Sequence, residues 1–182
     1  MNLYIRLLLL LLRSVLVSRR QDVFAPCSTH FRVNPFDLDL NLHMNNGRYF
    51  SIMDLGRIDL LLKAGVFWKF LRQGYSPVVT SESIRFKRSL QLFERFEMIT
   101  LIESWNDKDF FMTQRFVCGE QVVAEGCVQG RFRRRSRKGS VPTAEIFSLL
   151  GSPYPGTKLS EIAEAQLGIE SRLAIKSLTS QS

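Results

Sequence analysis

The stretch that decides the fold is Asp37-Leu38-Asp39-Leu40-Asn41-Leu42-His43-Met44-Asn45-Asn46-Gly47-Arg48-Tyr49. Polar and apolar residues alternate from Asp37 to Met44, and this alternation predicts an extended segment with its polar side chains on one side. Asn is a preferred helix N-cap, and the residues after Tyr49 are mostly apolar and free of proline as far as position 64. We therefore predict a polar loop that leads into the N-terminus of a buried helix, where free N–H groups favour a developing negative charge.

The predicted helix covers residues 49–64 and is apolar on more than one face, so it requires packing neighbours on several sides. Gly65 suits its C-cap. Residues 66–74 predict a further short helical turn.

A short strand is predicted at residues 31–33, and four more follow Pro77, at residues 78–87, 96–105, 110–117 and 121–132. The segments between the last three strands predict tight turns. Short connections between successive strands predict antiparallel neighbours. One long buried helix and an antiparallel sheet make the fold class α+β.

The N-terminal segment is rich in leucine, with Arg6 and Arg13 on either side of an uninterrupted apolar run. That run is shorter than the ~20 residues that a membrane-spanning helix needs. Arg6, Arg13 and Arg20 are seven residues apart, so a helix places them on one face, opposite leucine, isoleucine and valine. Two interpretations stay open: residues 3–20 contact a membrane surface, or they form an amphipathic helix docked on the domain or on a second subunit.

These patterns divide the chain into three regions. Residues 1–24 are predicted as a basic amphipathic helix, residues 25–138 as the main folded domain, and residues 139–182 as a C-terminal extension with short helices. Within the extension, a helix is predicted from Pro142 to Gly151, and residues 160–177 are moderately amphipathic.

The composition fits one domain with a substantial core, because 45% of the 182 residues are hydrophobic. The net charge of +8 predicts attraction to polyanions such as anionic lipid and phosphorylated ligands. Nucleic acid is disfavoured, since Phe132 is the only aromatic residue in the basic run at 131–138. Three cysteines without CxxC spacing predict free thiols in a reducing, cytoplasmic location, with membrane association as the alternative, and two histidines argue against a metal site.

The pattern Asp-x-Asp-x-Asn-x-His-x-Asn-Asn-x-x-Tyr at residues 37–49 resembles the plant acyl-carrier-protein thioesterases, which have the hotdog fold. The paired aspartates followed by Tyr49 also resemble the 4-hydroxybenzoyl-CoA thioesterase type. The string is similar as well to the thioesterase-like proteins related to thioesterase superfamily member six. The resemblance covers residues 31–133. It implies a sheet wrapped around one long helix, a homodimer joined edge to edge, and hydrolysis of an acyl-CoA or acyl-carrier-protein thioester in fatty acid metabolism, with no cofactor beyond the coenzyme A of the substrate.

The resemblance also implies roles for residues of the motif. Asp39 corresponds to the catalytic carboxylate, a general base or nucleophile. Asn41 would orient a water molecule or the aspartate, and His43 would exchange a proton near neutral pH. We assign the backbone N–H of Asn46 as the oxyanion donor, and Asp37 to a structural role.

Further residues are expected to contact the substrate. Tyr49 and Asp54, both on the predicted helix, are expected at the substrate pocket. The phosphates of coenzyme A, or the acidic surface of a carrier protein, are expected at Arg85, Lys87, Arg88, Arg131 and Arg133.

One position departs from the plant pattern. A strand glutamate that is proposed to assist catalysis there corresponds to Arg85, and Glu82 falls at a different point on the strand. The departure leaves a second interpretation open, a non-catalytic hotdog protein that binds an acyl carrier or a membrane as a scaffold. A dehydratase is a third interpretation, in which Asp54 is the acid on the helix.

Overall fold

The computed structural model describes residues 3–16, 21–135 and 139–168. Along the chain it contains α1 (Leu3–Leu16), β1 (Cys27–Arg32), a short 3-10 helix (Pro35–Asp37), α2 (Asn46–Lys63), α3 (Phe67–Arg72), β2 (Tyr75–Phe86), β3 (Arg95–Trp105), β4 (Asp109–Cys118), β5 (Gln121–Arg134) and α4 (Thr143–Leu150). A further helical stretch, α5, covers residues 161–168. The elements predicted before residue 151 all occur, although β1 begins four residues earlier than predicted.

The five strands form one antiparallel sheet in the order β1-β3-β4-β5-β2. This arrangement confirms the α+β class and the hotdog architecture, in which the sheet packs around α2. The predicted tight turns join antiparallel neighbours, β3 with β4 and β4 with β5. β2 does not pair with β3, the strand that follows it in the chain. Instead, β2 pairs with β5, from Tyr75 opposite Arg134 to Phe86 opposite Ala124. The connection from β2 to β3 is too long for a tight hairpin, so it can cross two strands.

The helix α2 begins at the cap that the sequence predicts. Asn45 is the N-cap, and its side-chain oxygen accepts the N–H of Gly47 at 2.9 Å. Gly65 follows the helix with a φ of 70°, a left-handed conformation that glycine adopts without strain. The apolar side chains that α2 buries are Tyr49, Ile52, Met53, Leu55, Leu60 and Leu62. They lie on more than one face, as predicted.

The helix approaches the sheet closely at Gly56. A Cβ atom at this position would lie 2.1 Å from Cε of Met98 and 2.9 Å from Oγ1 of Thr100. The fully buried Gln114 of β4 lies at the same contact, and its Nε2 donates to the backbone oxygen of Met53 at 3.0 Å. Glycine therefore sets the distance between helix and sheet, because a larger side chain would displace close-packed buried groups.

The N-terminal helix α1 packs along α2. Leu10 lies in one apolar cluster with Leu55 and Leu62 of α2. Arg6 is only 6% exposed, and its Nη2 lies 2.5 Å from Oδ2 of Asp37. A charge pair buried to this extent needs both partners, since either alone would be an uncompensated charge.

The orientation of α1 differs from the sequence prediction. Arg6 was expected on a basic face opposite the apolar residues, but it turns inward to a buried carboxylate beside Leu7 and Leu10, while Arg13 is exposed. Arg20 lies outside the described residues. The outward side chains of α1 are largely apolar: Tyr4, Ile5, Leu8, Leu9 and Leu12. No helix within residues 3–16, 21–135 and 139–168 has the length and hydropathy to cross a membrane.

The helix α4 belongs to an aromatic cluster that also includes residues of α3 and of strands β2 to β5. Phe147 packs there with Phe132 of β5 and Trp105 of β3. The helix ends at Gly151, which has a φ of 81°, as the sequence predicts. Of the amphipathic stretch predicted at 160–177, residues 161–168 are helical, Ser160 directly precedes them, and residues 169–177 lie outside the described residues.

We expect Gly56→Ala to destabilise the protein by about 1–3 kcal/mol, because the added methyl group overpacks the contact between α2 and the sheet. This loss would exceed the gain of about 1 kcal/mol in helix propensity. The urea denaturation midpoint measures it. Gly168→Ala in α5 is the matched control, since a Cβ atom there meets nothing within 4 Å. Equal destabilisation by both substitutions would contradict this account of Gly56.

Candidate active site

The loop between the 3-10 helix and α2 folds back on itself. Leu38 and Met44 form a β-bridge. Inside this bridge, the N–H of Asp39 donates to the backbone oxygen of His43 at 2.9 Å. Leu42 closes the turn in a left-handed conformation with a φ of 59°, which costs a residue with a side chain about 1–2 kcal/mol. The prediction of an extended segment is therefore wrong here, because these hydrogen bonds require a turn.

The turn also contradicts the prediction that the polar and apolar side chains of this segment lie on opposite sides. Asp37 is only 2% exposed, whereas Leu40 and Leu42 are 102% and 71% exposed. Besides its ion pair with Arg6, the carboxylate of Asp37 accepts the N–H of Asn34 at 2.9 Å. Asp37 thus links the start of the loop to α1, which is a structural role.

The side chains of Asp39, Asn41 and His43 all belong to this loop. Oδ1 of Asp39 accepts the N–H of Asn41 at 2.9 Å, so this carboxylate caps the turn with one of its two oxygens. Asn41 is exposed, and Asp39 and His43 are partly exposed. The side chains of Asn41 and His43 make no hydrogen bond within the part of the chain that the structure describes. A carboxylate oxygen, an amide and an imidazole are therefore accessible to a ligand from one loop.

The backbone N–H of Asn46 is the first of α2. The N–H groups of the next two residues, Gly47 and Arg48, donate to the side chain and the backbone oxygen of Asn45. Among the described residues, none accepts the N–H of Asn46, and the residue is exposed. A free donor at the positive end of the helix dipole can bind an oxyanion.

A cavity of about 370 Å³ lies beside the middle of α2. Its walls come from α1, α2, α3 and α4 and from strands β2 to β5, and three of its lining residues are charged: Asp54, Arg57 and Arg131. Among the lining residues, the side chain of Asp54 is 59% exposed and Tyr4 is 73% exposed, so the cavity meets solvent at these residues. Its volume and its mainly apolar wall suit an apolar ligand group whose polar end remains at the opening.

A polar network lies at this opening. Arg57 contacts Asp54 at 2.5 Å, Glu82 of β2 at 2.7 Å and Gln114 of β4 at 2.6 Å. Burial raises the pKa of the Glu82 carboxyl, although the neighbouring Arg57 acts in the opposite direction. Neither Arg57 nor Glu82 was predicted to take part in the site. The spacing of Asp54 and Arg57, one helical turn apart, was the available signal.

Tyr49 lies in the core and not on the cavity wall. It is 1% exposed and packs edge-on against Phe86 and Phe116. Its hydroxyl oxygen accepts the N–H of Leu90 at 3.2 Å, and burial raises the pKa of this hydroxyl. Of the two residues expected at a pocket, only Asp54 lines the cavity.

The candidate loop and the cavity lie apart in the single chain. Asp39, Asn41, His43 and Asn46 are absent from the residues that line the cavity. The structure thus brings the four loop groups together with one another but does not bring them to the apolar cavity.

Two of the five basic residues expected to bind phosphate are held in ion pairs. Arg88 contacts Glu94 at 2.7 Å. Arg131 contacts the buried Asp109, also at 2.7 Å, while its side chain borders the cavity. The other three, Arg85, Lys87 and Arg133, are exposed.

The exposed basic residues do not converge on one site. Arg85 lies opposite Glu125 in the β2–β5 ladder, and Arg133 lies opposite Ser76. The nine residue steps from Ser76 to Arg85 correspond to roughly 30 Å of strand. Arg85 and Lys87 can therefore contact one ligand group, and Arg133 a different one.

Comparison with known proteins identifies a family. The sequence model described as the thioesterase-like superfamily matches residues 33–165. Protein THEM6 of Danio rerio is 39% identical over 114 residues, which are 63% of this chain and 56% of that protein. This chain spans about half the length of the curated relatives it matches.

Solved structures share the fold. The probable thioesterase YbaW of Escherichia coli superposes with a TM-score of 0.63 at 21% identity, over 68% of this chain and 96% of that one. The SAV2348 protein of Staphylococcus aureus, solved in complex with CoA, has a TM-score of 0.63 at 15% identity, over 79% and 94% of the two chains. At these identities the likeness shows the fold alone.

The ion pair between Arg88 and Glu94 generates a pH dependence of stability. The hydrogen bond from Arg88 lowers the pKa of Glu94 from 4.5 to about 2. A carboxyl with a lowered pKa stabilises the fold above its unfolded pKa, and this contribution is lost as the pH falls from 4.5 towards 2. We expect the urea midpoint of wild type to fall more steeply in this range than that of Glu94→Gln. Glu120→Gln, in the exposed turn after β4, should behave like wild type, and equal slopes for all three proteins would refute the assignment.

Proposed function

Because the chain belongs to the thioesterase-like superfamily, we propose that it is a thioester hydrolase that converts an acyl-CoA or acyl-carrier-protein thioester to the free acid and thiol. The observation that carries this proposal is the apolar cavity beside α2, with its opening at Asp54. A thioester substrate combines an apolar acyl group with a polar carrier. Such a cavity can bury the first and leave the second in solvent.

The loop before α2 supplies groups suited to the chemical step. Asp39 takes a proton from water while the water oxygen adds to the thioester carbonyl carbon. The N–H of Asn46 donates to the carbonyl oxygen as it becomes negative. The carbon–sulfur bond then breaks, and His43 gives a proton to the leaving thiolate. Asn41 orients the water molecule. The reaction uses no cofactor apart from the coenzyme A that the substrate carries.

A homodimer would bring the loop of one protomer to the cavity of its partner. β2 is an edge strand in the single chain, and its Val79 and Phe86 are 37% and 39% exposed. An edge strand presents unpaired N–H and C=O groups that a second chain can pair with. Dimerisation through β2 would place two copies of α2 on one continuous sheet.

Arg85 and Lys87 are the candidates for contacts with the carrier. Both are exposed near the end of β2, and together they offer two positive charges to a phosphate or an acidic protein surface. Coenzyme A is the carrier that the SAV2348 likeness favours. Arg133 could contact a carrier only at the far end of the strand.

A second candidate function is acyl binding without hydrolysis. One oxygen of Asp39 is engaged in capping the turn, and Arg85 stands where the plant enzymes have a helper glutamate. Glu82 is not free to take the role of that glutamate, because it forms an ion pair with Arg57 at 2.7 Å. These observations favour a protein that has kept the acyl cavity and lost the chemistry.

We expect Asp39→Asn to lower kcat/KM on a panel of acyl-CoA esters by on the order of a hundredfold or more, because the amide cannot accept a proton from water. Release of free thiol measures the rate. The amide oxygen can still accept the N–H of Asn41, so the turn is retained. Asp22→Asn is the matched control, since Oδ1 of Asp22 accepts the N–H of Phe24 in the same geometry.

The two candidate functions give different results. Hydrolysis that is lost in Asp39→Asn and retained in Asp22→Asn supports the thioesterase. Hydrolysis that survives in Asp39→Asn would show that Asp39 does not take the proton from water. A folded wild-type protein that releases no thiol from short, long or aryl esters favours the binding protein, provided that carrier-protein thioesters are also inert.

A further inference from the structure

The helix α1 forms part of the wall of the apolar cavity. Leu3, Tyr4 and Leu7 line it together with residues of α2 and the sheet. These three residues precede the part of the chain that matches the thioesterase-like superfamily, which begins at residue 33. The wall they form therefore lies outside the range matched by the family model.

The wall is fixed in place by two kinds of contact. Apolar residues of α1 pack with Leu55 and Leu62 of α2. Beside them, Arg6 donates to the backbone oxygen of Arg32 at 2.9 Å and pairs with Asp37 at 2.5 Å. Since Asp37 is only 2% exposed, this ion pair is shielded from solvent and resists separation.

We propose that α1 sets the length of the aliphatic chain that the cavity accepts, with Leu7 as the residue that limits it and the Arg6–Asp37 pair as the contact that holds the wall. The inference rests on the proposed function to the extent that it takes the cavity to be an acyl site. The ligand class is an apolar acyl group, whose length straight-chain fatty acids can probe, because the wall around it is almost entirely apolar.

Leu7 is the limiting residue because of where its side chain lies. Tyr4 is 73% exposed, so most of its side chain faces solvent. Leu7 is half-buried and contributes both to the cavity wall and to the apolar cluster with α2. A larger side chain at Leu7 fills part of the cavity, and a smaller one enlarges it. Leu8, the next residue, is 55% exposed and does not line the cavity.

The Arg6–Asp37 pair connects this wall to the candidate catalytic loop. Asp37 is two residues from Asp39 in the same loop, so the position of α1 and the position of the loop are coupled through one ion pair. Removal of both charges together leaves no unpaired buried charge, and such a variant tests the anchoring with less risk to the fold than either single substitution.

The test measures binding and does not need catalysis. Isothermal titration calorimetry with saturated fatty acids from octanoate to stearate is carried out on the full chain and on Leu7→Trp, Leu7→Ala and Leu8→Trp, each first shown to be folded by circular dichroism. Each methylene group that enters the cavity should tighten the Kd about fourfold, until the chain reaches the wall. Beyond that length the Kd should stop improving.

We expect Leu7→Trp to move this limit to a shorter chain, by about two methylene groups or more, and Leu7→Ala to move it to a longer one. Leu8→Trp, which adds the same side chain on the outer face, should keep the wild-type limit. For the double variant Arg6→Met with Asp37→Asn, the Kd should level off over a wider range of chain lengths than in wild type, because α1 is held less firmly.

Identical chain-length profiles for Leu7→Trp, Leu8→Trp and wild type would overturn the role of α1. A folded full-length protein that binds none of the fatty acids would overturn the acyl cavity, and with it the substrate class of the proposed function. Length-dependent binding that shifts with Leu7, in a protein without hydrolytic activity, would support the inference while the proposed catalysis fails. The two proposals are therefore tested separately.

Discussion

The close contact between α2 and the sheet is the constraint on which the rest of the structure depends. Gly56 allows the helix to approach until the side chains of Met98 and Thr100 lie too close to leave room for a Cβ atom. Gln114 then fastens the two layers, because its buried amide donates to the backbone oxygen of Met53 and to Thr100 Oγ1 at 2.9 Å. A buried amide must find such partners, so the helix has one favourable position over the sheet. That position fixes where the helix begins and what its outer side faces.

Two separate regions follow from this placement of α2. At its N-terminus, the free N–H of Asn46 lies beside the turn that carries Asp39 and His43. Along its middle, Asp54 and Arg57 border an apolar cavity that α1 helps to enclose. The candidate catalytic groups and the apolar volume thus lie at different parts of one helix. A thioester has the same division between a reacting carbonyl and an aliphatic chain, and the two regions would meet in the homodimer that we propose.

The buried Arg6–Asp37 pair shows how a segment outside the matched range can become part of such a site. A charge inside a protein must be compensated, so the inward turn of Arg6 depends on the carboxylate that receives it. Both sides of α1 carry apolar side chains, since Leu7 and Leu10 pack inward and Leu8 and Leu9 face outward. The ion pair therefore acts together with apolar packing in fixing the orientation of this helix, and its orientation decides which residues reach the cavity.

The sequence by itself determined the α+β class, the central helix and the strands, because these depend on periodicity and on local signals. Asn45 and Gly65 delimit α2 through contacts within a few residues, and Gly151 ends α4 in the same way. The motif also located the candidate loop groups, since they are neighbours in the chain. Only the tertiary structure decided the pairing of β2 with β5, the turn at Leu42, the burial of Asp37, the ion pairs of Arg88 and Arg131, and the cavity. The pairing of β2, the burial of Asp37, the ion pair of Arg131 and the cavity depend on groups distant in sequence, and a local pattern contains no information on which distant partner a strand edge or a charge will meet. The turn at Leu42 and the Arg88–Glu94 pair join groups within six residues, but more than one local conformation satisfies the same residue pattern, and the folded chain selects one.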